Sequence, residues 1–431
     1  MKNFQIILIA VFIIAAVLGL LVFSGAIPIG EDNQENPAGN LIIWGTFKAE
    51  VVNPLLDEFD NANPDLTLSY VEKNPKTFDS DLLEALASGV GPDIFFLPDN
   101  LAFHYGNKIL VIPYQNYPIS SFKKNFAAAG EVFLVSNGIL AFPITIDPMV
   151  MYYNRSMLDA KGIVYPPSDW DQFVNMAPSL TERSEAGKII KSAVALGHSS
   201  NVFHAKDILS MLFMQTGAKM AIEKEGRLVS DLGLSAGAGY YSPESALIFY
   251  TDFADPGKSI YSWNKSFPLS RDYFSTDNLA FYFGYASELS GLINRNPNQN
   301  FSVTEVPQIK GSSFKLTSAR VTGLAVSAFS KNQNTAFLVA SALTGGNFAA
   351  GLAANSGVAP ARRDLLASKP EDSFSPTFYA SALYGRSWLD PSPEDTDDIF
   401  RRMIEGVLSG AMRSREAVVD ANSKLNLLFT R

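Results

Sequence analysis

Carboxylates stand where their neighbours are apolar or aromatic, and they define the chemistry open to this chain. Asp147 interrupts FPITIDPMVMYYN, residues 142–154, directly before a proline; Asp99 and Asn100 follow the apolar run DIFFL at 93–97. Oxygen acceptors beside ring faces suit polar solutes, because carboxylates and amides take hydroxyl hydrogens while aromatic rings cover C–H surfaces. Trp44, closing the run LIIW, supplies such a ring. Trp44, Asp99 and Asn100 all fall at the C-terminal ends of expected strands, where ligands gather in open parallel sheets. The competing roles are core packing for Trp44 and a turn or helix cap for Asp99 and Asn100.

Composition removes several other chemistries. The 431 residues contain no cysteine, which excludes disulfides, thiolate nucleophiles and cysteine-bound zinc. The three histidines, His104, His198 and His204, form no HExxH or paired arrangement, so no metal site and no cofactor is expected. No GxSxG motif is present. Net charge is −9 with no basic cluster, which argues against nucleic acid.

The elements that must position these residues alternate from the start of the folded part. LIIW at 41–44 reads as a strand, Val51 to Phe59 as a helix, Leu66 to Val71 as a strand, Asp79 to Ala87 as a helix and Asp93 to Leu97 as a buried strand. That order predicts a parallel sheet with helices on its faces. Beyond Tyr165 helices dominate: one with Ser168 as expected N-cap, then Ala205–Thr216, Ser242–Ala254, Thr335–Leu343 and Asp397–Leu408. Strand-like pieces at 278–286 and 320–327 interrupt them, which predicts a second α/β unit richer in helix.

Five segments in order carry a resemblance: Gly91-Pro92-Asp93 before an apolar strand; Phe142-Pro143 with Met151-Tyr152-Tyr153-Asn154-Arg155; Pro166-Pro167-Ser168-Asp169-Trp170; Phe281-Tyr282-Phe283-Gly284-Tyr285; and Gly357-Val358-Ala359-Pro360-Ala361-Arg362. In these the chain resembles the family 1 extracellular solute-binding proteins of ABC transporters, the maltose-binding-protein group, from about Leu41 onward. The resemblance implies a two-lobed α/β fold with a three-crossing hinge and closure around a ligand. Residues 41–146 and 279–328 are expected in lobe 1, and 147–278 and 329–431 in lobe 2. It implies a small solute, a sugar or oligosaccharide, handed to the transmembrane subunits of an ABC permease. An anchored sensor and, more remotely, a glycoside-acting enzyme using Asp99, Asp147 and Glu288 are the alternatives.

Mapped on the resemblance, Asp147 falls at the first crossing, on the cleft floor. There Asp147-Pro148 is expected to bend the chain. Tyr285 stands where sugar-binding relatives place a stacking Trp, with Glu288 beside it, and Arg320 lies near the third crossing, able to pair an acidic ligand group. The expected ligand-binding set is therefore Trp44, Asp99, Asn100, Asp147, Tyr285, Glu288 and Arg320. His204 is a further cleft donor to be weighed against an ordinary satisfied histidine, whereas Trp170 and Asp93 read as structural.

The N-terminus carries an apolar run, Ile6 to Phe23, behind Lys2 and ahead of Glu31, Asp32 and Glu35. Residues 1–26 are expected to be a signal or membrane anchor and 27–40 a flexible tether. Ser24 and Ala26 suit cleavage, while a run longer than the roughly 7–15 residues of a signal core favours an uncleaved transmembrane helix. Both place the remainder outside the cytoplasm.

Overall fold

The computed structural model describes residues 38–232, 241–368 and 370–430. The expected anchor and most of the tether lie outside the described residues. The opening alternation forms as expected: β1 (Gly39–Gly45), α1 (Ala49–Ala62), β2 (Leu66–Glu72), α2 (Phe78–Ser88) and β3 (Ile94–Pro98). β1 runs parallel to both β2 and β3. Asp93 locks the entry to β3, taking the Ile42 amide at 3.0 Å and the Ser330 hydroxyl at 2.5 Å.

The FPITIDPMVMYYN segment forms one continuous strand, β4 (Phe142–Asn154). The bend expected at Asp147-Pro148 does not break it. Downstream come α3 (Trp170–Leu180), β5 (Ile189–Val194), α4 (Ala205–Gln215), β6 (Leu279–Tyr285), β7 (Phe301–Thr304) and β8 (Thr317–Val326). Four helices complete the frame used below: α5 (Gln333–Leu343), α6 (Gly346–Ser356), α7 (Pro393–Leu408) and α8 (Ser414–Leu428). The cap of α3 is Asp169 rather than Ser168, its carboxylate taking the Gln172 amide at 2.8 Å. Trp170 is buried and donates to Gln215 at 2.7 Å, a structural role.

The main sheet runs β2-β1-β3-β8-β4-β6-β5, with the short Glu182–Arg183 strand at its edge. The first half of β4 pairs antiparallel with β8, Phe142 to Pro148 against Ala319 to Leu324; the second half pairs with β6, Met149 to Tyr153 against Phe281 to Tyr285. Pro148, which has no N–H to give to a ladder, falls where the partner changes.

Two hydrophobic cores sit on either side of that change. Ile146 belongs to the first and Met149 to the second. The chain recrosses between Leu316 and Ala319; after Phe374 and Phe378 have touched the second core it leaves the first beyond Ala382. This corrects the expected lobe ranges. Residues 279–316 pack in the second core, because β6 bonds to β4 and β5, whereas 329–366 pack in the first, through Ala336, Val339, Phe348 and Leu352. LAFYFGY is buried along its whole length, so its pattern carries no sign of which sheet it joins. The α5–α6 pair is apolar and bent by 63°, yet its inner face is part of the first core; no single described helix is long and apolar enough to cross a membrane.

Candidate functional site

Between the cores lies a cleft of about 1230 Å³. Phe47, Asp99, Asn100 and Ser356 line it from the first lobe, and His204, Lys206, Asp207 and Phe400 from the second. The crossing segments supply its floor, Asp147 from β4, Arg320 from β8, and Ser387 and Trp388 from the third crossing.

Asp147 and Arg320 are partners in register on neighbouring strands. Asp147 accepts the Ser287 amide at 3.0 Å and its hydroxyl at 2.6 Å. Enclosure by the protein on all sides but the cleft raises its pKa, only partly offset by Ser287 and the nearby Arg320. Arg320 lies over the Tyr285 ring, 3.9 Å from its centre, and donates to Asp207 at 2.9 Å. Burial alone would raise the pKa of Asp207, but its neighbours, Arg320 foremost, together outweigh it and hold it below the usual carboxylate value.

His204 caps the N-terminus of α4 with φ at +66°, a left-handed conformation that costs a non-glycine residue about 1–3 kcal/mol and is typical of functional positions. Its Nε2 is 2.7 Å from Glu288 Oε1 and its Nδ1 3.3 Å from Arg320 Nη2. Glu288 also accepts the Tyr282 hydroxyl at 2.6 Å and the Tyr285 amide at 2.8 Å. Burial works against its charge, yet these bonds hold its pKa below the usual carboxylate value.

Asp99 is buried at the end of β3, with its oxygens on the Ser387 hydroxyl and the Asn100 amide, the latter at 3.0 Å. Burial pushes its carboxyl up to about 6, with Ser387, the Val321 amide and Arg320 holding it back from going higher.

Of the residues expected from sequence, Asp99, Asn100, Asp147, Tyr285 and Arg320 line the cleft; Trp44 and Glu288 do not. Trp44 is half-buried against the first core under the Lys73 ammonium, 3.4 Å from its ring centre, so its face is already occupied. Glu288 sits behind His204, its oxygens bonded to protein groups, which removes it from any catalytic carboxylate pair. Tyr285 is only 1% exposed, with Arg320 on its face and His204 at its edge, so the expected stacking platform is covered. Lys206, Asp207, Ser387 and Trp388 were not anticipated. One signal for the last two existed: SWLDP at 387–391 repeats the Asp-Pro step of the first crossing. Among the described residues no group of side chains could hold a metal ion.

The fold has solved counterparts. A cyclo/maltodextrin-binding protein complexed with maltotetraose matches with a TM-score of 0.73 at 17% identity, covering 91% of this chain and 97% of that one. A cyclic α-maltosyl-1,6-maltose binding protein from Arthrobacter globiformis matches at 0.73 and 13% identity, over 91% and 99%. An ABC substrate-binding protein from Listeria monocytogenes in complex with cycloalternan matches at 0.65 and 17%, over 90% and 98%. These likenesses establish the two-lobed fold of periplasmic binding proteins. No curated protein matches the chain by sequence. The sequence model of the bacterial extracellular solute-binding proteins matches residues 55–375, most of the chain and both sides of the cleft. This chain, with two cores and a cleft between them, belongs to that family of extracellular binding proteins, which are not enzymes.

Proposed function

We propose that the protein captures a neutral polyhydroxylated solute, a sugar or oligosaccharide, by closing its lobes over the cleft, and delivers it to an ABC permease. The observation that carries this is the pairing of Trp388, half-buried with no ring or cation stacked on it among the described residues, with the acceptors Asp99 and Asp147 in one cleft. A pyranose ring would lie on the indole while its hydroxyls donate to the carboxylates. The cleft cations are already matched: Lys48 by Glu72 at 3.0 Å, Lys206 by Asp390 at 3.1 Å, Arg320 by Asp207 at 2.9 Å and Arg401 by Glu405 at 3.4 Å. That balance favours a solute without net negative charge. Structural neighbours that hold maltotetraose and cycloalternan support the same class. In this reading Trp388, Asp99, Asn100, Asp147 and Arg320 contact the solute, and the apolar run Ile6 to Phe23 tethers the protein to the membrane.

A thermal-shift screen over mono- and oligosaccharides, amino acids and polyamines tests this. The cognate sugar at a hundredfold excess over its Kd should add about 2.7 kcal/mol of stability. A clear shift with an amino acid and none with any sugar would refute the carbohydrate assignment. Asp147→Ala should weaken sugar binding about 10- to 100-fold, the worth of one hydrogen bond to a charged group. The melting temperature of the empty protein should hardly move, since the fold does not favour the ionised form of Asp147. Calorimetry and a melt on the same preparation separate the two effects.

A further inference from the structure

Arg320 and Asp147 stand side by side in register, a cation beside a carboxylate, yet among the described residues no side-chain hydrogen bond joins them. Asp147 takes its hydrogen bonds from Ser287. Among the described residues both side-chain hydrogen bonds of Arg320 run through Nη2, to Asp207 and His204. Its Nε and Nη1 donors are left for the cleft, on a side chain that keeps 51% of its surface exposed.

Behind Arg320 the order is fixed step by step. The Tyr282 hydroxyl and the Tyr285 amide hold Glu288. A carboxylate only accepts, so His204 Nε2 carries the proton of the 2.7 Å bond to Glu288. Arg320 only donates, so His204 Nδ1 accepts from it. A charged residue stacked on a ring and tied at one corner has lost most of its rotamers before any solute arrives, and such preorganisation favours binding.

We propose that Glu288 and His204 are positioning residues that hold Arg320 in a single orientation, and that Arg320 and Asp147 together form a subsite for a vicinal diol. One hydroxyl accepts from the guanidinium while its neighbour donates to the carboxylate. The pair also selects by charge: a carboxylate on the solute would meet Asp147, and an ammonium would meet Arg320. The subsite rests on the carbohydrate reading above; the positioning role of Glu288 does not.

The full chain and its Glu288→Gln variant are compared by calorimetry with maltotetraose, D-tagatose and cycloalternan, and with maltotetraose whose vicinal diols have been opened by periodate and reduced. The wild type should prefer the intact over the opened sugar by tenfold or more. Glu288→Gln should lower that ratio severalfold, the ring stacking on Trp388 keeping it above one, with the empty protein melting within a few degrees of wild type. An unchanged ratio in the variant overturns the proposal. If no sugar binds the wild type, the carbohydrate reading and the diol subsite both fail. The positioning role is then decided in the empty protein from the nitrogen-15 resonances of the His204 ring and Arg320 Nε: a clear change in Glu288→Gln supports it, and unchanged signals overturn it. Should Glu288→Gln not fold, His204→Gln, which keeps a side-chain donor and acceptor, takes its place in the same comparison.

Discussion

A Lys206→Met variant is expected to lose about 3–5 kcal/mol of stability at pH 8, the cost of leaving a buried carboxylate without its cation. The Lys206 ammonium lies 3.1 Å from Asp390 Oδ2, 2.9 Å from Asp397 Oδ1, 3.1 Å from the Thr396 hydroxyl and 3.2 Å from the Pro393 carbonyl. Its side chain is 16% exposed and that of Asp390 8%, so this contact is inside the protein; Asp397 is 66% exposed, so solvent screens its share. Burial opposes the charge on Lys206, but Asp390 and Asp397 outweigh it and raise its pKa above 10.5. For a base with a raised folded pKa, the stabilisation is complete below the unfolded value and is lost as pH climbs through the folded one. In the variant Asp390, whose carboxyl burial already pushes upward, would take a proton as pH falls. The deficit should therefore shrink between pH 8 and pH 5. Melts of both proteins at the two pH values decide it, and a deficit that stays constant would show that packing, not charge, is what the lysine supplies.

Asp99→Asn should do the opposite. Raising the carboxyl from 3.8 to about 6 means the folded state holds the proton over a range where the unfolded chain has released it. At about 1.4 kcal/mol per unit, about 3 kcal/mol of stability is lost as pH rises from 3.8 to about 6, and stays lost above it. Asparagine removes the charge while its oxygen keeps the Asn100 amide and its NH₂ can donate to the Ser387 hydroxyl. At pH 7.5 the empty variant should approach a gain of about 3 kcal/mol, and its stability should no longer fall between pH 4 and 6. In the carbohydrate reading it should bind sugar more weakly, because a neutral amide is a poorer acceptor for hydroxyls. Wild-type stability that is flat across pH 4–6 would refute the burial argument. A protein that keeps an acid at such a cost keeps it for what the cleft does rather than for folding.

Much of the framework was legible because it rests on local rules. The helices around Val51 and Asp79 and the strands at 41, 66 and 93 appear within a few residues of their expected limits, since periodicity and a glycine stop mark them. Membership of a lobe was not legible: β6 and the α5–α6 pair are apolar enough to suit either core, and long-range pairing chose between them. The same holds for the site. Asp147, Asp99 and Arg320 stand out as charges in apolar surroundings, which few positions besides a cleft tolerate. The fate of Tyr285 depended on where a residue 35 positions later places its guanidinium, and no spacing rule carries that information. Trp388 sits in a connecting segment, where sequence pattern is weakest.

The strand β4 has one more consequence, for how the gene can be divided. Because β4 serves both cores and the chain recrosses between Leu316 and Ala319, no contiguous stretch of the chain encodes one complete lobe. Residues 38–146 alone would lack β8, which flanks β3 and β4, and the helices that cover the first core from 333 onward. A permutant opened in the exposed turn at Gly187, or a fragment pair meeting there, keeps both cores whole; a cut at the hinge keeps neither.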